Sequence, residues 1–278
     1  MRVSITQIRE MKQKGERICM LTAYDYSTAK LIDEAGIPLI LVGDSLGMVV
    51  LGYESTIPVT MDEMIHHTKA VVRGAKNALI VGDMPFMTYQ VSVEEALHNA
   101  ARFIQEAGCQ AVKLEGGEFM ADTVKRVITC GIPVMGHIGL TPQSINQLGG
   151  YKAVGKTPDA AISLVKDAKA LDEAGVFAIV LECVPEPLAK IITERVNAPT
   201  IGIGAGRYCG GQVQVVSDVL GLYSDFVPKH AKQYVKLAED IKKATADYIS
   251  EVQAGDFPTD RQCFAIDEGV IAEVEKSV

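Results

Sequence analysis

Eight short apolar runs recur every few tens of residues, each closed at its C-terminal end by Gly, Pro or a polar residue, and they constrain the chain more than any other feature. The runs are Ile18 to Tyr24, Leu39 to Ser45, Ala78 to Pro85, Ala111 to Gly117, Pro133 to Leu140, Ala178 to Pro185, Pro199 to Gly206 and Asp225 to His230. Continuous apolar stretches of this length suit strands buried on both faces, as a parallel sheet demands. Between them, apolar residues at spacings of three and four predict helices over Ser27 to Ala35, Met61 to Lys76, Val93 to Ala107, Glu118 to Thr129, Pro158 to Ala174, Glu186 to Val196 and Val216 to Leu222. Thr60, Ser92 and Thr157 stand as polar caps before three of these segments. The repeating unit is therefore βα. The first run ends in Thr22-Ala23-Tyr24-Asp25 rather than in the glycine fingerprint of an open nucleotide-binding sheet, so the expected fold class is α/β, a closed (β/α)8 barrel. Val235 to Val252 reads as a last helix. Residues 1–278 are expected to form a single barrel domain, with residues 256–278 a polar C-terminal extension holding one more short helix.

Composition narrows the partners. The chain has 278 residues, 48% of them hydrophobic, which is enough for one large core. A net charge of -8 argues against a nucleic-acid surface, which needs clustered Lys and Arg, and favours a small-molecule substrate. The six cysteines, Cys19, Cys109, Cys130, Cys183, Cys209 and Cys263, show no C-x-x-C spacing, so neither a zinc site nor a disulfide framework is expected. No apolar h-region follows the start, and no stretch approaches the ~20 apolar residues of a spanning helix. A cytoplasmic location without membrane contact is the expectation.

In a barrel of this kind the active site lies at the C-terminal ends of the strands. Those ends are unusually acidic here: Gly43-Asp44-Ser45, Gly82-Asp83-Met84-Pro85, Lys113-Leu114-Glu115-Gly116-Gly117, Gly136-His137 and Glu182-Cys183. One such carboxylate could simply cap the next helix. Several at one mouth would repel one another unless a cation neutralises them, and oxygen donors favour Mg²⁺ or a similar hard ion. Asp44, Asp83 and Glu115 are the expected ligands, and an ion held there could polarise a carbonyl and stabilise an enolate. Strand alternation puts Lys113 on the same face as Glu115, where it could pair with a substrate carboxylate or merely offset the acidic cluster. Glu182 follows Ala178-Ile179-Val180-Leu181 and reads as a partly desolvated general base, or else as a partner of Lys113 or His137. His137 could donate to a substrate oxygen or satisfy a core contact. The run Ile201-Gly202-Ile203-Gly204-Ala205-Gly206 is a weak phosphate-loop signal that close packing would also explain. Cys183 and Cys209 read as structural.

Five runs, taken together, resemble the ketopantoate hydroxymethyltransferase family: Val42-Gly43-Asp44-Ser45-Leu46-Gly47-Met48, Asp83-Met84-Pro85-Phe86-Met87, Val112-Lys113-Leu114-Glu115-Gly116-Gly117, Gly136-His137-Ile138-Gly139-Leu140-Thr141-Pro142-Gln143 and Leu181-Glu182-Cys183-Val184-Pro185. The resemblance extends from about Ile5 to about Pro258. It implies a barrel of the phosphoenolpyruvate-mutase-like type and a reaction in which 3-methyl-2-oxobutanoate takes a hydroxymethyl group from 5,10-methylenetetrahydrofolate, giving 2-dehydropantoate through a Mg-stabilised enolate. By the same resemblance Asp44, Asp83 and Glu115 correspond to the ligands of one Mg²⁺ per subunit. Asp44, Ser45, Asp83 and Lys113 correspond to oxo-acid-binding positions, and Glu182 to the proton acceptor. The family is generally a homo-oligomer, a decamer of pentameric rings. Two positions depart from the common pattern: Gly210 stands where Asp is usual and Ser217 where His is usual.

Two rival readings have sequence consequences. A phosphonate mutase or carbon-carbon lyase would carry a Lys-Lys-Cys-Gly-His type loop, which is absent. A metabolite-binding barrel without catalysis would have lost part of the set Asp44, Asp83, Lys113, Glu115 and Glu182, all of which are present.

Overall fold

The computed structural model describes residues 2–150, 152–222 and 227–278. Eight parallel strands close into a barrel in sequential order. They are β1 (Ile18–Thr22), β2 (Leu39–Val42), β3 (Leu79–Asp83), β4 (Ala111–Glu115), β5 (Val134–Gly139), β6 (Ala178–Glu182), β7 (Thr200–Ile203) and β8 (Gly211–Gln214). Seven of the eight predicted runs contain a strand. The eighth does not: Asp225 and Phe226 lie outside the described residues, and 227–230 carry no strand. The barrel instead closes through Gly211-Gln212-Val213-Gln214, which pairs with β1 from Ile18↔Gly211 to Leu21↔Gln214. Half of that strand is polar, which hid it in the sequence. Glycine is required at its start, because a Cβ on Gly211 would lie 2.3 Å from the Ile18 carbonyl oxygen.

The layers follow from strand alternation. Leu39, Leu41, Leu79, Val81, Ala111, Met135, Ala178, Val180, Ile201 and Val213 fill the barrel interior. Their neighbours Ile40, Val42, Ile80, Val112, Leu114, Val134, Ile179 and Leu181 face outward against the helices. Those helices are α1 (Ile5–Gln13), α2 (Tyr26–Glu34), α3 (Met61–Gly74), α4 (Val93–Arg102), α5 (Ala121–Thr129), α6 (Pro158–Ala174), α7 (Glu186–Arg195) and the single turn α8 (Val216–Val219). The predicted caps are in place: the side chains of Thr60, Ser92 and Thr157 accept from the backbone N–H of Glu63, Glu95 and Ala160. The helix expected to run to Ala107 changes at Phe103 into a π-turn, Phe103–Ala107. The one expected from Val216 to Leu222 stops at Val219.

Helix α1 covers the end of the barrel away from the strand C-termini. Ile8 packs into the inner cluster with Ile18 and Phe177. Lys12 Nζ donates to the carbonyls of Val196 and Ala198, at 2.7 and 3.0 Å, just before β7. With that end closed, the cavity opens only where the carboxylates stand. Beyond the barrel, α9 (Leu237–Ala254) and α10 (Glu268–Ser277) carry no buried residue. No helix among the described residues is long and apolar enough to cross a membrane.

Candidate active site

Inward-facing positions continue past the apolar interior into chemistry. Leu79 and Val81 lead to Asp83, Ala111 leads to Lys113 and Glu115, Met135 leads to His137, and Ala178 and Val180 lead to Glu182. Strand register then sets these side chains side by side, with Asp83 level with Lys113 and Glu115 level with His137. Asp44, Ser45, Asp83, Lys113, Glu115, His137 and Glu182 all line one cavity of about 980 Å³. All seven predicted site residues are therefore brought together at one rim.

Lys113 is the centre of the cluster. Its Nζ lies 2.8 Å from Asp83 Oδ1 and 3.2 Å from His137 Nδ1. Burial opposes its charge, but Asp83, Glu115 and Asp44 outweigh burial and hold the ammonium above its usual value. An ammonium has no lone pair, so it donates to Nδ1, and the ring's proton sits on Nε2, 3.2 Å from Glu182 Oε2. Burial first, and the Lys113 charge second, lower the His137 value, so the imidazole stays neutral. Lys113, His137 and Glu182 thus form a line running across β4, β5 and β6.

Each of the three expected metal ligands has an oxygen held by an amide N–H, and in Asp83 the second oxygen is the one paired with Lys113. Gln143 Nε2 donates to Asp44 Oδ2 at 2.9 Å, the Asp44 backbone N–H to Asp83 Oδ2 at 3.1 Å, and the Gln143 backbone N–H to Glu115 Oε2 at 3.1 Å. Glu115 Oε1 is buried with no hydrogen-bond donor, its nearest cationic candidate being His137 Nδ1 at 3.5 Å. Because that nitrogen accepts from Lys113, it has no proton to offer Glu115. Burial pushes Asp83 up to about 7, and pushes Glu115 well above the carboxylate range. Among the described residues no group of three or more His, Cys, Asp or Glu already stands in ligand geometry. Three carboxylates surround one ammonium instead, and the Glu115 carboxylate that lines the cavity has one oxygen without a donor. This hard, oxygen-only donor set with excess negative charge fits a divalent cation such as Mg²⁺.

Sequence reasoning missed three contributors. Gln143 ties Asp44, Glu115 and the Met84 carbonyl together and accepts from the Tyr89 hydroxyl at 2.7 Å. Tyr24 shares a hydrogen bond with Ser45 Oγ at 2.9 Å and so fixes that hydroxyl at the cavity wall. Asp218, on α8, lines the far side of the cavity. Gln143 and Tyr24 lie in or beside the quoted runs, but on a single 3₁₀ turn (Pro142–Ser144) and a loop, where no periodicity signals direction.

The glycine-rich run after β7 serves close packing. A Cβ on Gly206 would lie 2.4 Å from Glu186 Cγ, and one on Gly204 would lie 3.2 Å from His230 Nδ1. The Glu186 carboxylate accepts from Arg207 Nε at 2.8 Å, so the cation of this loop is already paired. Cys183 adopts a left-handed backbone with φ of 50°. Burial pushes its thiol up to about 11, which suits a wall residue rather than a nucleophile.

A closed parallel barrel with its ionisable side chains gathered at the C-terminal rim defines the class: a (β/α)8 barrel with a candidate active site at its strand ends. Among solved structures the fold is shared by 2,3-dimethylmalate lyase, a member of the phosphoenolpyruvate mutase and isocitrate lyase superfamily, which superposes with a TM-score of 0.59 at 13% identity, covering 100% of this chain and 97% of the other. Phosphonopyruvate hydrolase in complex with oxalate and Mg²⁺ gives 0.59 at 12% identity, covering 100% and 96%. The sequence is far more specific. The ketopantoate hydroxymethyltransferase family model matches residues 2–260. The 3-methyl-2-oxobutanoate hydroxymethyltransferase of Dehalococcoides mccartyi (strain CBDB1) is 62% identical over 278 residues, covering 100% of both chains. The protein of that name from Clostridium botulinum (strain Loch Maree / Type A3) is 59% identical, covering 98% of each. The chain belongs to the ketopantoate hydroxymethyltransferase family, and it is a transferase enzyme.

Proposed function

We propose that the chain transfers a hydroxymethyl group from 5,10-methylenetetrahydrofolate to 3-methyl-2-oxobutanoate, giving 2-dehydropantoate for pantothenate and coenzyme A synthesis. Within the molecule, the observation that carries this reading is the placement of Glu182. It is an inward carboxylate, 17% exposed, beside the neutral His137 and facing the Lys113 cluster across one cavity.

The residues divide the work by charge. Lys113 is the one ammonium in the buried cluster and attracts the carboxylate of the oxo acid. Ser45, oriented by Tyr24, offers a hydroxyl to the same substrate, with Asp44 and Asp83 bordering it. Asp44, Asp83 and Glu115 would hold one Mg²⁺, which when bound would polarise the 2-oxo group and ease loss of the neighbouring proton. Glu182 takes that proton from C3, and the Nε2–H of His137 steadies the carboxylate as it does so. Water hydrolyses the methylene bridge: both of its C–N bonds break, the water oxygen stays on the carbon as formaldehyde, and the two folate nitrogens take up the protons as tetrahydrofolate. The enolate carbon then adds to the formaldehyde carbon, and the proton held by Glu182 passes to the new alkoxide to give the hydroxymethyl group. Holding both substrates in one closed-bottom cavity removes the cost of their encounter from the chemical step.

Two further parts of the reading rest on surface features. Ile241, Tyr248, Ile249 and Val252 on α9 are exposed apolar residues, which supports burial against other copies of the chain in a homo-oligomer, a decamer of pentameric rings by family resemblance. The described cysteines are free, which supports a reducing, cytoplasmic setting.

Proton exchange tests the reaction. The enzyme should wash the C3 proton of 3-methyl-2-oxobutanoate into D₂O without folate, and a chelator should abolish this until Mg²⁺ is restored. Exchange that survives chelation, or none with Mg²⁺ present, would overturn the reading.

A further inference from the structure

The cavity has a second pole. Across β1 from the Lys113 cluster, the turn α8 follows β8 and is pinned to β1 by the Val216 backbone N–H, which donates to Thr22 Oγ1 at 2.9 Å. Asp218 projects from this turn into the cavity. The residue is only 6% exposed, yet its carboxylate has no hydrogen-bond or ion-pair partner among the described residues. Burial alone pushes its value up to about 6. Two further buried oxygens on the cavity lining, Thr56 Oγ1 and Gln214 Oε1, are likewise without a partner. Native interiors rarely leave buried polar atoms unpaired, and several lining one cavity mark a place where a ligand completes the set.

The chemistry of that ligand follows from the acceptors. A carboxylate with two free oxygens in a desolvated wall is matched by two parallel N–H donors, the counterpart of an Arg fork. The oxo acid presents only acceptor oxygens and would be repelled here, whereas Lys113 favours it at the other pole. The reduced pteridine ring of a folate presents an N3–H and a 2-amino group side by side. Resting on the function proposed above, we infer that Asp218 binds the N3–H and 2-amino edge of the folate pteridine, with Thr56 and Gln214 completing its polar contacts. The two poles thereby sort two substrates by hydrogen-bond polarity, acceptors towards Lys113 and donors towards Asp218. The 980 Å³ cavity is far larger than a five-carbon acid needs and lies at the upper end of the range for drug-sized ligands, so it has room for both.

Isothermal titration with Mg²⁺ present, using tetrahydrofolate and its 2-desamino-2-methyl analogue against the full chain and Asp218→Asn, tests this. The unsubstituted chain should bind tetrahydrofolate about tenfold to hundredfold more tightly than the analogue, the range of a hydrogen bond to a charged group. Asp218→Asn should lose most of that affinity and distinguish the two compounds no longer. Equal affinities in the unsubstituted chain, or an Asp218→Asn chain that still distinguishes them, would overturn the inference. Should the variant fail to fold, the comparison in the unsubstituted chain decides alone. Failure of the proposed function itself looks different: tetrahydrofolate would not bind even the unsubstituted chain, and no product would form from methylenetetrahydrofolate, which would overturn both.

Discussion

His137 meets Lys113 through one ring nitrogen and Glu182 through the other, so its tautomer is set by the lysine rather than by solvent. The consequence is that the ring's proton sits on Nε2, 3.2 Å from the carboxylate proposed as the base but outside hydrogen-bond alignment with it. Glu182→Gln keeps this contact and removes the basicity, so turnover and C3 proton exchange should fall by about a hundredfold or more, within the range typical of a general base, while the oxo-acid KM changes little. Steady-state kinetics alongside exchange by NMR check this, and retained exchange would place the base elsewhere. Asp218 makes a stability prediction of opposite character. Its folded value of about 6 lies above the ordinary 3.8, so its contribution is fully present below about pH 4 and is lost as pH rises through 6. Asp218→Asn should therefore raise Tm at pH 8 and leave it unchanged at pH 4 in ligand-free protein. A Tm lowered at pH 8 would mean that the carboxylate has a partner.

The strand is the element that decides where chemistry can sit. Positions of one parity fill the barrel with Leu, Val and Ala, and the same parity carried to the C-terminal end delivers Asp83, Lys113, Glu115, His137 and Glu182 to the cavity. Gly82 is the reciprocal case. It faces outward between Val81 and Asp83, and an added Cβ would lie 2.3 Å from the Phe103 ring, which sits where α4 gives way to the π-turn. Gly82→Ala should cost about 1–3 kcal/mol by overpacking, and should tilt β3 enough to weaken Mg²⁺ binding through Asp83. Chemical denaturation and metal titration test both effects. Five strand-end residues were legible in the sequence because alternation fixes direction on a strand. Gln143 and Tyr24 were not, because neither a single 3₁₀ turn nor a loop has a period long enough to show the direction of a side chain.

At the scale of the whole molecule, α9 stands outside the barrel's economy. Ile241, Tyr248 and Val252 fall on one helical stripe at spacings of seven and four, and all three are exposed. Ile241→Asp combined with Val252→Asp should reduce the assembly's mass in solution, read by multi-angle light scattering, with the barrel's circular dichroism unchanged. An unaltered mass would show that this stripe is not the contact.

The chain by itself determined the βα repeat, the capped helices, seven of the eight strands and the acidic character of the strand ends, since each depends on local periodicity or on a residue's own chemistry. It misplaced the eighth strand because Gly211-Gln212-Val213-Gln214 becomes a strand only by pairing with β1 and β7, a long-range contact that leaves no apolar run behind. Only the closed barrel could decide that Lys113 reaches both Asp83 and His137, that Gln143 spans Asp44 and Glu115, and that Asp218 faces the same cavity from the opposite wall. The hydrogen bonds of Gln143 alone join residues 99 positions apart, and no local pattern encodes such contacts.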